Sequence, residues 1–264
     1  MPVQDRCGMA RCPGGMGSTD EFPGGRASLL PTAGHGVRRE RTGERSIRVT
    51  GTRDDVDVRV GRERARLLSV LEGLDDAGWR TPSLCAGWSV RDLAVHLLMP
   101  YELSMPRFLA LLARSRFSFD RTADRWARTD RRSPAEVVAA LRDTGRRTFQ
   151  AGPGAPPEAP LSHLVIHAED VYRPLGVPSP TDPDDARIAL DQLTGRRSLA
   201  PGLLDGLAFT ATDTTWRYGT GLPVSGPATA LLTTLAGRTA ALDELTGDGV
   251  PSVRTRLRAA AGPV

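Results

Sequence analysis

Lysine is absent from the 264-residue chain, so all 35 of its basic residues are arginine. With 28 Gly, 21 Pro and abundant Ala, this is the signature of biased codon usage. It removes arginine richness as evidence for a nucleic-acid partner. Cysteine is scarce as well. Cys7, Cys12 and Cys85 are too few and too scattered for a disulfide framework, which makes a reducing, cytoplasmic setting the expectation. Four residues separate Cys7 from Cys12, but no second pair follows downstream, so a zinc knuckle is not expected. No apolar run reaches the roughly 18 residues that a membrane span needs, and no compact apolar segment near the start suggests a secretory signal.

Charge is unevenly spread. Residues 1–66 carry 13 Arg against 9 acids, whereas the remainder carries 22 of each. The net charge of +4 therefore sits in the N-terminal part, and the rest offers no basic face for nucleic acid. Residues 1–50 contain nine Gly and one aromatic, Phe22, with little apolar periodicity. Such a segment buries too little surface to offset its ordering entropy. Residues 1–58 are accordingly read as a disordered extension, His35 included.

Order is expected from near Gly61, where Leu67, Leu71 and Leu74 share a helical face. A loop, WRTPSLCAGW, runs from Trp79 to Trp88. Ser89 and Asp92 then form a capping box that opens a second helix carrying Val90, Leu93, Ala94 and Leu97. Pro100 should kink or end that helix, and a further helical stretch is expected over 101–116. A second capping box, Ser133 to Glu136 with Pro134 at the first helical position, opens another. Helices are also predicted over about 159–173 and from 181–183 to about 197. Residues 59–198 thus read as a helical bundle. From Gly206, GLAFTATD and TTWRYG alternate as strands do, and PVSG suggests a short third strand. Helices near 227–238 and at the C-terminus complete a small α+β module over 199–264.

The chain has only four histidines, and three of them are suggestively placed. His163 and His167 stand at i and i+4 on a predicted helix, so both imidazoles project from one face. That spacing lets two nitrogens reach one metal at about 2.0–2.1 Å. Asp170, three residues on, can orient His167 by accepting its second N–H, while Glu169 should point to solvent. His96 borders the apolar stripe of the second helix, and a bundle can bring ligands from two helices together. A single helical histidine is more often a satisfied core or surface residue, and H-x-x-x-H alone is only moderately specific. Without the adjacent Glu of H-E-x-x-H, a zincin-type peptidase is not supported. Cys85 is expected to serve packing, Trp79 and Trp88 to anchor the bundle, and Asp92 to cap a helix. Arg173 and Arg238 could hold a substrate carboxylate or form structural ion pairs.

Three blocks carry a resemblance. WRTPSLCAGWSVRDLAVHLL (79–98), LVIHAEDVYRPLGVP (164–178) and LAGRTAALDELTGDGV (235–250) together resemble the actinobacterial mycothiol-dependent maleylpyruvate isomerase family. The resemblance covers about residues 60–258. It implies a mainly α protein: a DinB-like four-helix bundle followed by a sterol-carrier-like C-terminal domain. It further implies a divalent metal, typically zinc, held at the positions of His96, His163 and His167. The isomerase itself has Glu where His163 stands, while DinB-like relatives often have three His. The function implied is isomerisation or S-transfer on small electrophilic substrates, with mycothiol as thiol cosubstrate and no membrane or nucleic-acid partner. A non-catalytic metal- or ligand-binding regulatory protein of the same fold is the alternative.

Overall fold

The computed structural model describes residues 53–150, 155–195, 199 and 202–261. Most of the extension expected over 1–58, including His35, lies outside the described residues. Its expected end does not match: helix α1 spans Arg53–Glu72 and buries Val56 and Val60 on the same face as Leu67 and Leu71. The apolar stripe is hard to follow upstream because a buried glutamate, Glu63, occupies one of its positions.

The connection after α1 holds a short helix, α2 (Asp76–Arg80), that buries Trp79. Ser89 and Asp92 close a capping box at the start of α3 (Val90–Glu102). Pro100 lies inside α3 without ending it, because it falls in the last turn, where only the carbonyl of His96 loses its i+4 donor. Two helices follow, α4 (Met105–Arg114) and α5 (Phe119–Thr129). The second, absent from the helices expected from sequence, sets Phe119, Ala123, Trp126 and Ala127 along one face of an otherwise charged segment. The second capping box starts α6 (Pro134–Asp143), and α7 (Ala159–Tyr172) and α8 (Pro183–Thr194) complete this part.

The bundle is the set α1, α3, α6 and α7. Helix α1 packs on α6 and α7, and α3 packs on the same two from the other side. Helix α5 covers α3, and α8 covers α7.

The C-terminal part has three strands, β1 (Leu207–Ala211), β2 (Arg217–Gly219) and β3 (Leu222–Gly226), in the order β2-β1-β3. Strand β1 runs antiparallel to β2, with Phe209 opposite Tyr218, and parallel to β3, with Phe209 opposite Val224. The turn into β3 needs glycine at 221, where φ is +129° and a Cβ would stand 2.0 Å from the Gly206 carbonyl oxygen. Helix α9 (Ala228–Leu235) is buried along its whole length, between the sheet and α8. Helix α10 (Val250–Ala261) closes the chain. Trp216 is buried and donates its indole N–H to Asp191 of α8 at 3.1 Å, tying the sheet to the helices. The architecture is mainly helical with one small three-stranded sheet. None of the described helices is long and apolar enough to cross a membrane.

Between α1 and α8 lies a buried acid pair. Glu63 Oε2 and Asp185 Oδ2 are both buried without a hydrogen-bond partner among the described residues. The other oxygens are met by Arg66 and the Asp182 N–H for Glu63, and by Arg59 at 2.6 Å for Asp185. Burial first, and then the neighbouring Asp185 carboxyl, push Glu63 up to about 7, against the opposing pull of Arg66 and the Asp182 amide. A carboxyl raised in the fold favours folding while protonated, and that contribution is lost as pH rises through the folded value. Glu63→Gln should therefore gain stability over wild type between about pH 4.5 and 7, with a constant advantage above that. Urea denaturation across this range checks it; a pH-independent difference would refute the raised Glu63 carboxyl.

Candidate metal centre

The three histidines that the sequence singles out meet inside the bundle. His96 comes from α3, and His163 and His167 come from α7, one turn apart. Nε2 of His96 lies 3.3 Å from Nε2 of His163. Ring centroids are 5.2 Å apart for His96 and His163, 5.0 Å for His96 and His167, and 4.9 Å for His163 and His167. Each ring offers a nitrogen within 4.8 Å of the other two. His96 and His167 are buried, and His163 is half-buried. Burial, followed by the neighbouring imidazoles, holds His96 and His163 well below the ordinary imidazole value, so both are neutral at pH 7. Neutral imidazoles keep lone pairs available.

Asp170 is where the sequence places it. Its Oδ2 is 3.0 Å from Nδ1 of His167. A carboxylate only accepts, so Nδ1 carries the proton and Nε2 of His167 is left with its lone pair. Arg238, from the segment after α9, donates to both Asp170 oxygens, at 2.9 Å from Nε and 2.8 Å from Nη2. Burial alone would raise the Asp170 carboxyl, but the Arg238 charge and the bonds from His167 and Arg238 hold it well below the usual carboxylate range.

Aromatic rings wall the cluster. Trp88 lies against His96 at 5.0 Å between centroids, while its indole N–H donates to Asp124 at 3.1 Å. Phe149 meets His163 edge-on at 5.7 Å.

With this geometry in view, comparison with known proteins becomes informative. Residues 60–172, which include all three histidines and Asp170, match the family described as the mycothiol maleylpyruvate isomerase N-terminal domain. The chain carries a domain of this family. Two solved structures are similar over 75% of this chain and 93% of theirs: the mycothiol-dependent maleylpyruvate isomerase, at 15% identity, and a histidine-to-alanine mutant of it, at 14%. Both have a TM-score of 0.45. Comparison with curated proteins gives no match.

The surroundings of this isomerase-family domain depart from expectation at Glu169, decide between the alternatives for two arginines, and add a contact at Cys85. Glu169 does not face solvent; it is fully buried, bonded to Ser179 and, at 3.0 Å, to Arg173, and burial pushes its carboxyl up. Arg173 also bonds Thr233 at 3.1 Å and Glu244, so both arginines weighed for a substrate carboxylate are engaged in ion pairs. Cys85 is buried as a packing residue would be, yet its thiol also joins the site. Sγ is 3.2 Å from Asp170 Oδ2, 3.9 Å from His167 Nδ1 and 3.5 Å from Arg238 Nη2. The Leu84 amide, bonded to the Asp170 carbonyl at 3.1 Å, pins the loop there. No spacing signal links Cys85 to Asp170 across 85 residues. Asp92 caps α3 and does not join the cluster.

Removing Arg238 would leave the buried Asp170 charge with much less compensation. Arg238→Ala should cost about 3–5 kcal/mol of stability in chemical denaturation, the usual penalty for breaking a buried pair. Adding Asp170→Asn should recover part of it; a loss under about 1 kcal/mol would show that Asp170 does not depend on Arg238.

Proposed function

We propose that the chain is a metal-dependent enzyme that uses a low-molecular-weight thiol, mycothiol, for isomerisation or S-transfer on small electrophiles. The observation that carries this is the meeting of two neutral imidazoles, nitrogen to nitrogen at 3.3 Å, with a third beside them. The residues fit the group: ligand bonds of about 2.0–2.1 Å in a tetrahedral site set neighbouring donor atoms about 3.3–3.4 Å apart. His96, His163 and His167 would hold a divalent ion, most suitably zinc. Held there by imidazole donors, such an ion would supply a positive charge that favours a thiol as its thiolate.

The chain's own residues supply the rest. Asp170 fixes the His167 tautomer and ring direction by accepting at Nδ1. Arg238 keeps Asp170 ionised and in place. Trp88 and Phe149 close two sides of the cluster against water. In the same reading the bundle is DinB-like, the C-terminal part is sterol-carrier-like, the protein works in the cytoplasm, and its partners are the thiol and the electrophile.

One observation favours a second reading. The space beside His163 is a neck of only about 10 Å³, enough for about one water. A neck that never widened would leave a metal-binding protein of the same fold with a regulatory rather than a catalytic role.

The purified, tag-free protein should bind zinc stoichiometrically by mass spectrometry, and His167→Ala should abolish this. Asp170→Asn should weaken zinc by about 10–100-fold. Conjugation of mycothiol to an activated alkene should occur with wild type and vanish in His96→Ala. Zinc binding without turnover would select the regulatory reading, and no stoichiometric zinc would end both.

A further inference from the structure

Beside the histidine cluster the bundle holds a recess of about 380 Å³. Its walls come from the first half of α1, the end of α3 and the segments around 144–149 and 155–160. Arg64, Tyr101, Thr144 and Pro160 line this recess and also line the narrow neck, whose far wall includes His163. Phe149, on the recess wall, touches both Tyr101, at 5.4 Å between centroids, and His163. Phe149 and the narrow space lined by His163 thus lie between the recess and an imidazole of the candidate site, and the recess volume lies in the range of small-molecule sites.

Two arginines border it, and they differ in what they already hold. Arg147 is committed to Asp143 at 2.9 Å and lies 3.7 Å from Glu102. Arg64 is half-buried and has a single neutral partner: Nη1 donates to Thr144 Oγ1 at 3.3 Å. Among the described residues no carboxylate lies within ion-pair distance of Arg64. Thr144 gives its own proton to the Leu141 carbonyl at 2.6 Å, so its hydroxyl oxygen is turned toward Arg64 as an acceptor. The guanidinium also lies against the Gly145 backbone, where a Cβ would stand 2.9 Å from Nη2. It is thus held in place with most of its five N–H donors uncommitted, in a fork that matches a carboxylate. The one acidic residue on the recess, Asp57, is exposed.

We propose that this recess binds the small-molecule substrate and that Arg64 anchors its carboxylate. The apolar body of such a ligand lies against Tyr101, Phe149 and the prolines, with its other end at the neck toward His163. The assignment of the ligand as substrate rests on the catalytic reading of the histidines. The anion anchor does not, because it needs no metal.

Benzoate, which pairs a carboxylate with a flat apolar ring, is the probe, and benzamide is its neutral match. Calorimetric or NMR titration of the full chain should show benzoate binding and benzamide at least about tenfold weaker, as loss of a charge-assisted pair requires. Arg64→Gln should lose benzoate by about tenfold or more while its thermal midpoint stays near wild type. Gly145→Ala, which displaces the guanidinium without removing it, should weaken benzoate as well and covers the case in which Arg64→Gln misfolds. Equal benzoate affinity in wild type and both variants, or benzamide matching benzoate, overturns the proposal. Benzoate binding that persists in a His96→Ala protein without zinc supports the anchor and places any failure in the metal reading alone.

Discussion

A carboxylate taken out of water stays ionised only if the fold surrounds it with compensating donors. Asp170 meets that condition from two directions. His167 donates from its own helix, and Arg238 donates to both oxygens from the C-terminal part of the chain. Much else depends on this arrangement. It fixes which nitrogen of His167 is available, it draws the Cys85 thiol and hence the 79–88 loop onto α7, and it makes the C-terminal part a contributor to the site. An isolated bundle would lack the charge that keeps Asp170 ionised. The small sheet and α9 are therefore part of the chemistry of the bundle even though none of their residues is a candidate ligand.

The histidine cluster was legible in the sequence because helix geometry is local. An i,i+4 pair shares a face wherever the helix sits, and Asp170 one turn further on must follow. His96 needed more than spacing, since 66 residues separate it from His163. The resemblance of residues 79–98 to a known family supplied the link. Both capping boxes and all three strands were likewise readable, since serine caps and strand alternation are short-range signals. The limits have physical causes too. Glu63 interrupts the apolar stripe of α1, so the start of that helix was set too late. Glu169 looks like a solvent-facing neighbour of Asp170 until Arg173, Ser179 and α8 are folded over it. Helix α5 has an apolar stripe of only four residues, Phe119, Ala123, Trp126 and Ala127, two of them alanines, in a segment dominated by charge. The burial of Glu63 depends on Asp182 and Asp185, more than a hundred residues away, which no local window contains.

The two sides of the histidine cluster are built differently. On the His167 side Asp170, Cys85 and Arg238 are bonded to one another behind the ring, and the packing is closed. On the His163 side a cation with one neutral partner borders open volume. Binding energy and positioning are thereby separated: rigidity is concentrated behind the imidazoles, and vacancy in front of them. An enzyme site needs both, and placing them one turn apart along the same helix face avoids a conflict between the two.

Glu169 and Asp170 are consecutive on α7, so their side chains leave the helix about 100° apart. Each is gripped by an arginine, Arg173 and Arg238, and Arg173 is bonded in turn to Thr233 of α9. Two restraints at different azimuths on one cylinder act as a torque lock. Helix α7 cannot roll about its own axis without breaking the buried Asp170–Arg238 pair and the Arg173–Thr233 bond. The direction in which His163 and His167 point is thus set as a mechanical property of the helix as a whole, with each side-chain rotamer adding only fine adjustment.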